Sequence, residues 1–159
     1  MQASQPDGES ITAEGLAALK EELFDLETNG RRTISQRILA ARQLGDLKEN
    51  AEYHAAKEDQ AHLETRIKRL RQRLRNAVVE EAQTEHPSFT FGRTAEVRDV
   101  DTGSVQTWTI VGSTEANRAE GKLSAESPVA RALLGRELGE VVEVDTPRGT
   151  RRLRIEKLV

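Results

Sequence analysis

The chain has 159 residues, enough for one ordinary domain or two small ones, and 36% of them are hydrophobic against 32% charged. One Trp, one Tyr and three Phe limit any compact core to a small one, and the absence of cysteine excludes disulfides, thiolate metal sites and cysteine nucleophiles. The formal net charge of -3 argues against bulk, sequence-independent affinity for DNA and leaves only local contact with nucleic acid open.

Residues 1–11 carry neither a basic region nor an apolar stretch and are expected to form a flexible N-terminus. No run approaches membrane-spanning length, so a cytoplasmic protein without membrane contact is expected. The prolines are Pro6, Pro87, Pro128 and Pro147, and nothing between positions 7 and 86 forbids helix on that ground. Thr12 is a candidate N-cap. After it Leu16, Leu19, Leu23 and Leu26 follow a heptad seam, which slips a step through Gly30 to Ile34, Ile38 and Ala41. Such an insertion unwinds a supercoil locally without ending it. Gly45 has the place of a glycine stop. A second seam runs through Ala56, Gln60, Leu63, Ile67, Leu70, Leu74 and Ala77. Two seams joined by a short turn predict an antiparallel coiled-coil hairpin over residues 12–84, with an acidic tip at 45–52. With ~30 residues per helix it would reach roughly 45 Å.

From Pro87 the pattern changes to period two. Val105, Thr107, Thr109 and Val111 alternate with Gln106, Trp108 and Ile110 after a turn at Asp101-Thr102-Gly103-Ser104. Residues 141–144 and 153–155 read as further strands joined through Pro147-Arg148-Gly149. Ser127 as N-cap, Pro128 at the first helical position and Gly135 as a stop bound a short helix between them. The fold class is therefore α+β: a helical hairpin, then a small antiparallel β-sheet domain with one short helix over residues 85–159.

The tip is where chemistry concentrates. A two-helix hairpin has one seam and no pocket, so acids at its tip can complete an active site only inside another molecule. Asp46 and Glu49 have the spacing of a capping box, Asp at the N-cap and Glu at N3 of the second helix. They are also two hard oxygen ligands, and the readings are compatible, since an ionised carboxylate has about four lone-pair sites. Mg²⁺ takes six oxygens in an octahedron, so the hairpin alone should hold it weakly, with the other ligands coming from a partner or a substrate phosphate. Arg66, Lys68, Arg69, Arg71, Arg73 and Arg75 lie opposite Glu14, Glu21, Glu22, Asp25 and Glu27, and cross-hairpin pairing is expected of them. Arg31, Arg32, Arg37, Arg42 and Lys57 lie nearer the tip with fewer acidic neighbours, open to phosphate contact or to plain solvation. Tyr53 is expected to pack against the turn, and His54 says little by itself.

The run Gly45-Asp46-Leu47-Lys48-Glu49-Asn50-Ala51-Glu52-Tyr53-His54-Ala55-Ala56 resembles the signature loop of the bacterial transcript cleavage factors of the GreA/GreB type. The resemblance continues through Leu19-Lys20-Glu21-Glu22-Leu23, Ile110-Val111-Gly112 and Ser124-Ala125-Glu126-Ser127-Pro128-Val129-Ala130-Arg131-Ala132-Leu133-Leu134-Gly135, covering the chain from about Ile11 to Val159. It implies an FKBP-like globular domain that docks on RNA polymerase, and a coiled coil that enters the polymerase secondary channel. There Asp46 and Glu49 would help hold a second Mg²⁺ shared with the polymerase, which then hydrolyses the 3′ end of backtracked nascent RNA by two-metal chemistry. On this resemblance the protein stimulates the polymerase's own reaction and is no enzyme by itself. Arg42 and Lys57 match basic positions that contact RNA, and Glu115, Asn117, Ser127 and Pro128 match positions expected to bind polymerase. A monomer is expected.

One departure is visible. The family commonly has Glu-Ala-Asp after the Ile-Val-Gly segment, and this chain has Glu115-Ala116-Asn117, which puts a polymerase contact by that acid in doubt. A non-catalytic channel-binding regulator on the same scaffold is the alternative, against which two intact tip carboxylates count. An isomerase reading of the FKBP-like half needs an aromatic pocket, and only Phe89, Phe91 and Trp108 are present, the first two expected at the linker edge.

Overall fold

The two leucine-rich seams become the single buried face of a helix pair. The computed structural model describes residues 8–159 and divides the chain into Leu16–Ala77, and the residues up to Gly15 together with Val78–Val159. In the first unit α1 (Ala13–Asp25) continues through a π-helical turn at Leu26–Gly30 into α2 (Arg31–Arg42), and α3 (Ala51–Asn76) returns. Leu19, Leu23, Ile34, Ile38 and Ala41 are buried on one side of the seam, and Ala56, Ile67 and Leu70 on the other. Leu16, Leu26, Gln60, Leu63 and Leu74 are half-buried, so the burial follows the predicted period.

The π-turn accounts for the slip in that period. Between Leu23 and Ile38 the seam contains one residue more than two heptads. A wider turn at Leu26–Gly30 absorbs the extra residue and returns both flanking helices to phase. Gly30 belongs there for a steric reason, because a Cβ would stand 3.3 Å from Leu63 Cδ1.

Both ends of the hairpin differ from the sequence reading. Helix α2 stops at Arg42, before Gly45, whose φ of 134° turns the chain within the loop instead. Helix α3 ends at Asn76, and Ala77–Val79 forms strand β2, paired with β1 (Glu9–Ile11). Part of the N-terminal segment expected to be flexible is therefore a strand, and residues 1–7 of it lie outside the described residues.

The second unit contains a five-stranded sheet of β3 (Thr94–Asp99), β4 (Val105–Val111), β5 (Lys122–Ser124), β6 (Val141–Thr146) and β7 (Gly149–Leu158), in the order β5-β4-β3-β7-β6. Its pairs are antiparallel except β4–β5, which is parallel, a correction to a wholly antiparallel sheet. The cause is the long connection after Val111, which brings β5 back beside β4 in the same direction. Helix α4 (Pro128–Leu133) is capped as expected by Ser127, whose Oγ accepts from Ala130 N at 3.2 Å. It sets Ala130 and Leu133 against a core of Phe89, Val97, Ile110, Leu153 and Ile155. Phe89 and Phe91 are thus core side chains and not linker-edge residues. Asp99, buried at 5% exposure, accepts from the backbone N–H groups of Asp101 (3.0 Å) and Thr102 (3.1 Å) and from Arg151 Nε (3.1 Å).

Deleting Asn29 should convert the π-turn to ordinary α-helix and leave the thermal unfolding of the hairpin within about 1 kcal/mol of the parent. Deleting Lys68, between the buried Ile67 and Leu70 of α3, where no wide turn can absorb the change, rotates one side of the seam off its partner by about 100° and should cost several kcal/mol, as loss of buried apolar contacts does. Equal effects of the two deletions, read by circular dichroism melting, would refute this account of the slip. The Thr102 backbone N–H and the Arg151 guanidinium hold the Asp99 carboxyl below the usual carboxylate range. Its contribution is then complete above the unfolded value of about 3.9 and is lost as pH falls through the lower native value. Acid unfolding followed by Trp108 fluorescence should therefore show a loss of stability below about pH 4 that Asp99→Asn makes shallower.

Candidate functional site

The loop between α2 and α3 is built from polar contacts. At its start Gln43 N donates to Ala40 O (3.2 Å) and Leu44 N to Ala41 O (3.1 Å), closing α2. Asp46 Oδ1 then accepts from Lys48 N at 3.0 Å in a local turn. Asn50 is the N-cap of α3: its Oδ1 accepts from Tyr53 N at 3.0 Å, and its Nδ2 donates to Ala41 O at 2.5 Å. His54 Nε2 lies 3.2 Å from Lys48 O.

This corrects the capping box. Neither Asp46 nor Glu49 caps α3, because the helix starts at Ala51 and Asn50 occupies the N-cap. Asn and Asp are near equals as caps, but only an amide can also donate, and the Ala41 carbonyl has a second lone pair to receive it. The signal in the sequence was an Asn immediately before an uninterrupted helical run; the acid spacing four residues earlier masked it. The consequence is chemical. Asp46 and Glu49 are both exposed, and among the described residues Glu49 accepts no hydrogen bond.

Among the described residues no three His, Cys, Asp or Glu side chains are grouped so as to hold a metal ion. The tip thus offers two carboxylates in solvent: suitable donors for a hard cation such as Mg²⁺, and too few to enclose one.

The cations near the tip sort by partner. Arg31 and Arg37, expected to have fewer acidic neighbours, are paired with Glu64 (3.0 Å) and Asp59 (2.8 Å) across the helix pair. Arg32 donates to Asn29 Oδ1. Among the described residues Arg42 and Lys57 face no carboxylate: the Arg42 guanidinium lies 5.9 Å from the Tyr53 ring centroid, and Lys57 donates to Gln60 Oε1 at 2.9 Å. Tyr53 packs beside Ile34, Ile38 and Ala56, as expected. Farther from the tip, Arg66 and Arg71 pair with Glu22 and Glu27. Lys68, Arg69, Arg73 and Arg75 make no ion pair among the described residues, so the expected pairing holds for only part of that run.

Of the four residues matched to polymerase binding, Glu115, Asn117 and Ser127 have local partners. The Glu115 carboxylate accepts from Thr12 N (3.0 Å), from the Thr12 hydroxyl and from Gly112 N (3.1 Å), while Thr12 Oγ1 accepts from Gly15 N (3.0 Å) at the start of α1. Thr12 is thus the N-cap the sequence indicated, and Glu115 is the partner that sequence reasoning missed. Gly15 permits it, since a Cβ there would run into that carboxylate. Asn117, exposed, accepts from Ala119 N at 3.1 Å and caps a 3-10 turn at Arg118–Glu120. Ser127 caps α4, and Pro128 is exposed in its first turn.

Residues 9–79 match the model of the transcription elongation factor N-terminal domain, and residues 84–158 that of the GreA/GreB C-terminal domain. The chain is 46% identical to transcription elongation factor GreA of Nautilia profundicola, over 94% of this chain and 93% of that protein. It is 44% identical to transcription elongation factor GreA of Oceanobacillus iheyensis, over 91% and 92% respectively. A solved structure, GreA factor homolog 1 of Thermus thermophilus, is 26% identical with a TM-score of 0.42, covering 96% of this chain and 99% of that one.

The Glu115 contact can be tested by a double-mutant cycle. Glu115→Ala should destabilise the chain by about 1–3 kcal/mol, the scale for hydrogen bonds to a charged group. Gly15→Ala should be destabilising in the parent and neutral or favourable by up to about 1 kcal/mol in the Glu115→Ala background, where the obstructing carboxylate is gone. Strict additivity in urea melts would show that the two positions do not interact.

Proposed function

The chain belongs to the GreA/GreB family of transcription elongation factors, and on that footing we propose that it stimulates RNA polymerase to cleave the 3′ end of backtracked nascent RNA. The hairpin enters the polymerase secondary channel as a single copy, in the cytoplasm, and brings Asp46 and Glu49 to the polymerase's active centre. No helix among the described residues is long and apolar enough to cross a membrane.

The observation that carries this reading is the exposed, incomplete acid pair at the end of a helix pair with no interior. Asp46 and Glu49 would supply oxygen ligands to an Mg²⁺ ion, with polymerase carboxylates and RNA phosphate oxygens needed to complete its shell. When bound, the ion provides Lewis acidity toward water and the leaving oxygen. A carboxylate oxygen of Glu49, which accepts no hydrogen bond among the described residues, would accept a hydrogen bond from the attacking water and fix its approach. Arg42 and Lys57, facing no carboxylate, hold the RNA backbone by its phosphates. Because the acids are half of a site, hydrolysis takes place in the polymerase and the free chain is not itself the enzyme.

Asp46→Asn and Glu49→Gln keep size and loop geometry while removing charge. Each should lower stimulated cleavage on a backtracked elongation complex by roughly 100-fold or more, the scale for losing stabilisation of a transition state, while binding to polymerase persists. Cleavage at the parental rate by both variants would sink the metal role and leave occlusion of the channel as the activity.

A further inference from the structure

The tip loop carries two acids but has almost nothing apolar to hold it. Leu44 is 67% exposed and Leu47 is 41% exposed, so packing does not order residues 44–49. What remains is a small set of polar contacts, and one side chain joins the two ends of the loop. We infer that Asn50 is a positioning residue for Asp46 and Glu49: its amide fastens the Ala41 carbonyl, where the chain leaves α2, to the Tyr53 N–H, where it enters α3.

The anchorage explains why this residue can do so. Ala41 is 3% exposed and Ala56, one turn into α3, is 1% exposed, so the loop ends rise from a closed part of the seam. The Ala41 carbonyl accepts twice, from Leu44 N (3.1 Å) and from Asn50 Nδ2 (2.5 Å), which draws the first residues of the loop and the last to one atom. The contact of His54 Nε2 with Lys48 O (3.2 Å) and the turn at Asp46 act only within the space those ends define. Two ligands that must meet a partner's ligands around one ion need placement within about 0.5 Å, and a loop ordered beforehand avoids the entropy of ordering it on arrival. This inference rests on the metal role proposed above.

Two substitutions separate the clamp from the cap. Asn50→Asp keeps an acceptor for Tyr53 N but loses the donor to Ala41 O; Asn50→Ser also caps and is too short to bridge. Asn, Asp and Ser are near equals as N-caps, so both variants should melt close to the parent. In the free full-length chain, NMR relaxation should show lower backbone order at residues 45–49 in both variants while the Tyr53 amide stays protected from exchange. On a backtracked polymerase complex, half-saturating Mg²⁺ should rise roughly tenfold, the scale for loss of support behind a metal ligand, with maximal rate recovered at high Mg²⁺ and polymerase affinity unchanged. Unchanged loop order with an unchanged Mg²⁺ requirement overturns the inference. So does a fall in melting temperature or polymerase affinity without a change in Mg²⁺ requirement, which would make Asn50 a stabilising cap alone. If Asp46→Asn and Glu49→Gln cleave like the parent, the metal reading has failed on its own variants, and the relaxation data still decide whether the clamp orders the loop.

Discussion

Two antiparallel helices can bury only the faces they turn toward each other, and everything distinctive about the helical unit follows from that limit. Its buried apolar side chains form one seam, from Leu19 to Ala41 on one side and Ala56 to Leu70 on the other. Among the described residues of this unit there is no third layer to enclose a ligand. Chemistry on such an element is confined to its surface or its end, and at the end it must be incomplete. The exposed pair Asp46 and Glu49 is the form that incompleteness takes.

The same limit gives exposed ion pairs a role other than stability. Arg31–Glu64, Arg37–Asp59, Arg66–Glu22 and Arg71–Glu27 are all solvent-facing, and each contributes about 0–1 kcal/mol. What they do is sort the cations. An arginine held by a carboxylate across the seam is less available to an anion, while Arg42 lies by the Tyr53 ring, Lys57 donates to Gln60, and neither is ion-paired among the described residues. On a chain of net charge -3, the cations near the tip are thus distinguished by their local partners and not by bulk charge.

How much of this was legible in the sequence depends on whether the controlling interaction was local. The seams, the slip near Gly30, the Thr12 and Ser127 caps and the strands from Val105, Val141 and Leu153 rest on periodicity or on contacts a few residues long, and the structure contains them. Strand β3 was missed because Thr94-Ala95-Glu96-Val97-Arg98-Asp99 alternates small and charged residues without a strong apolar face, and it is made a central strand by β4 and β7 on either side. The Glu115–Thr12 contact spans 103 positions, and no local pattern announces it. The tip acids were found from their spacing, but the structural duty assigned to them was not theirs. Asp46 and Asn50 are equally good caps on propensity, and the choice was made by the Ala41 carbonyl, a partner nine residues from Asn50 that can accept from an amide and not from a carboxylate.

That choice has a functional consequence. A carboxylate that caps a helix is oriented by the backbone and partly consumed by N–H donors, which compete with a cation for its lone pairs. Placing a neutral amide at the cap moves the structural work onto a side chain with no charge to offer a metal, and leaves both acids with open oxygens. Asp46 yields one oxygen to Lys48 N, and Glu49 yields none among the described residues. Asn50 also makes the two bonds an acid could not make together, one as acceptor and one as donor, so the loop is closed by a residue outside the ligand pair. A site that must be completed by another molecule needs both conditions: donors that stay unsatisfied in the free chain, and a frame that holds them without using them. In this loop the amide supplies the frame, and the carboxylates keep oxygens open to solvent because it does.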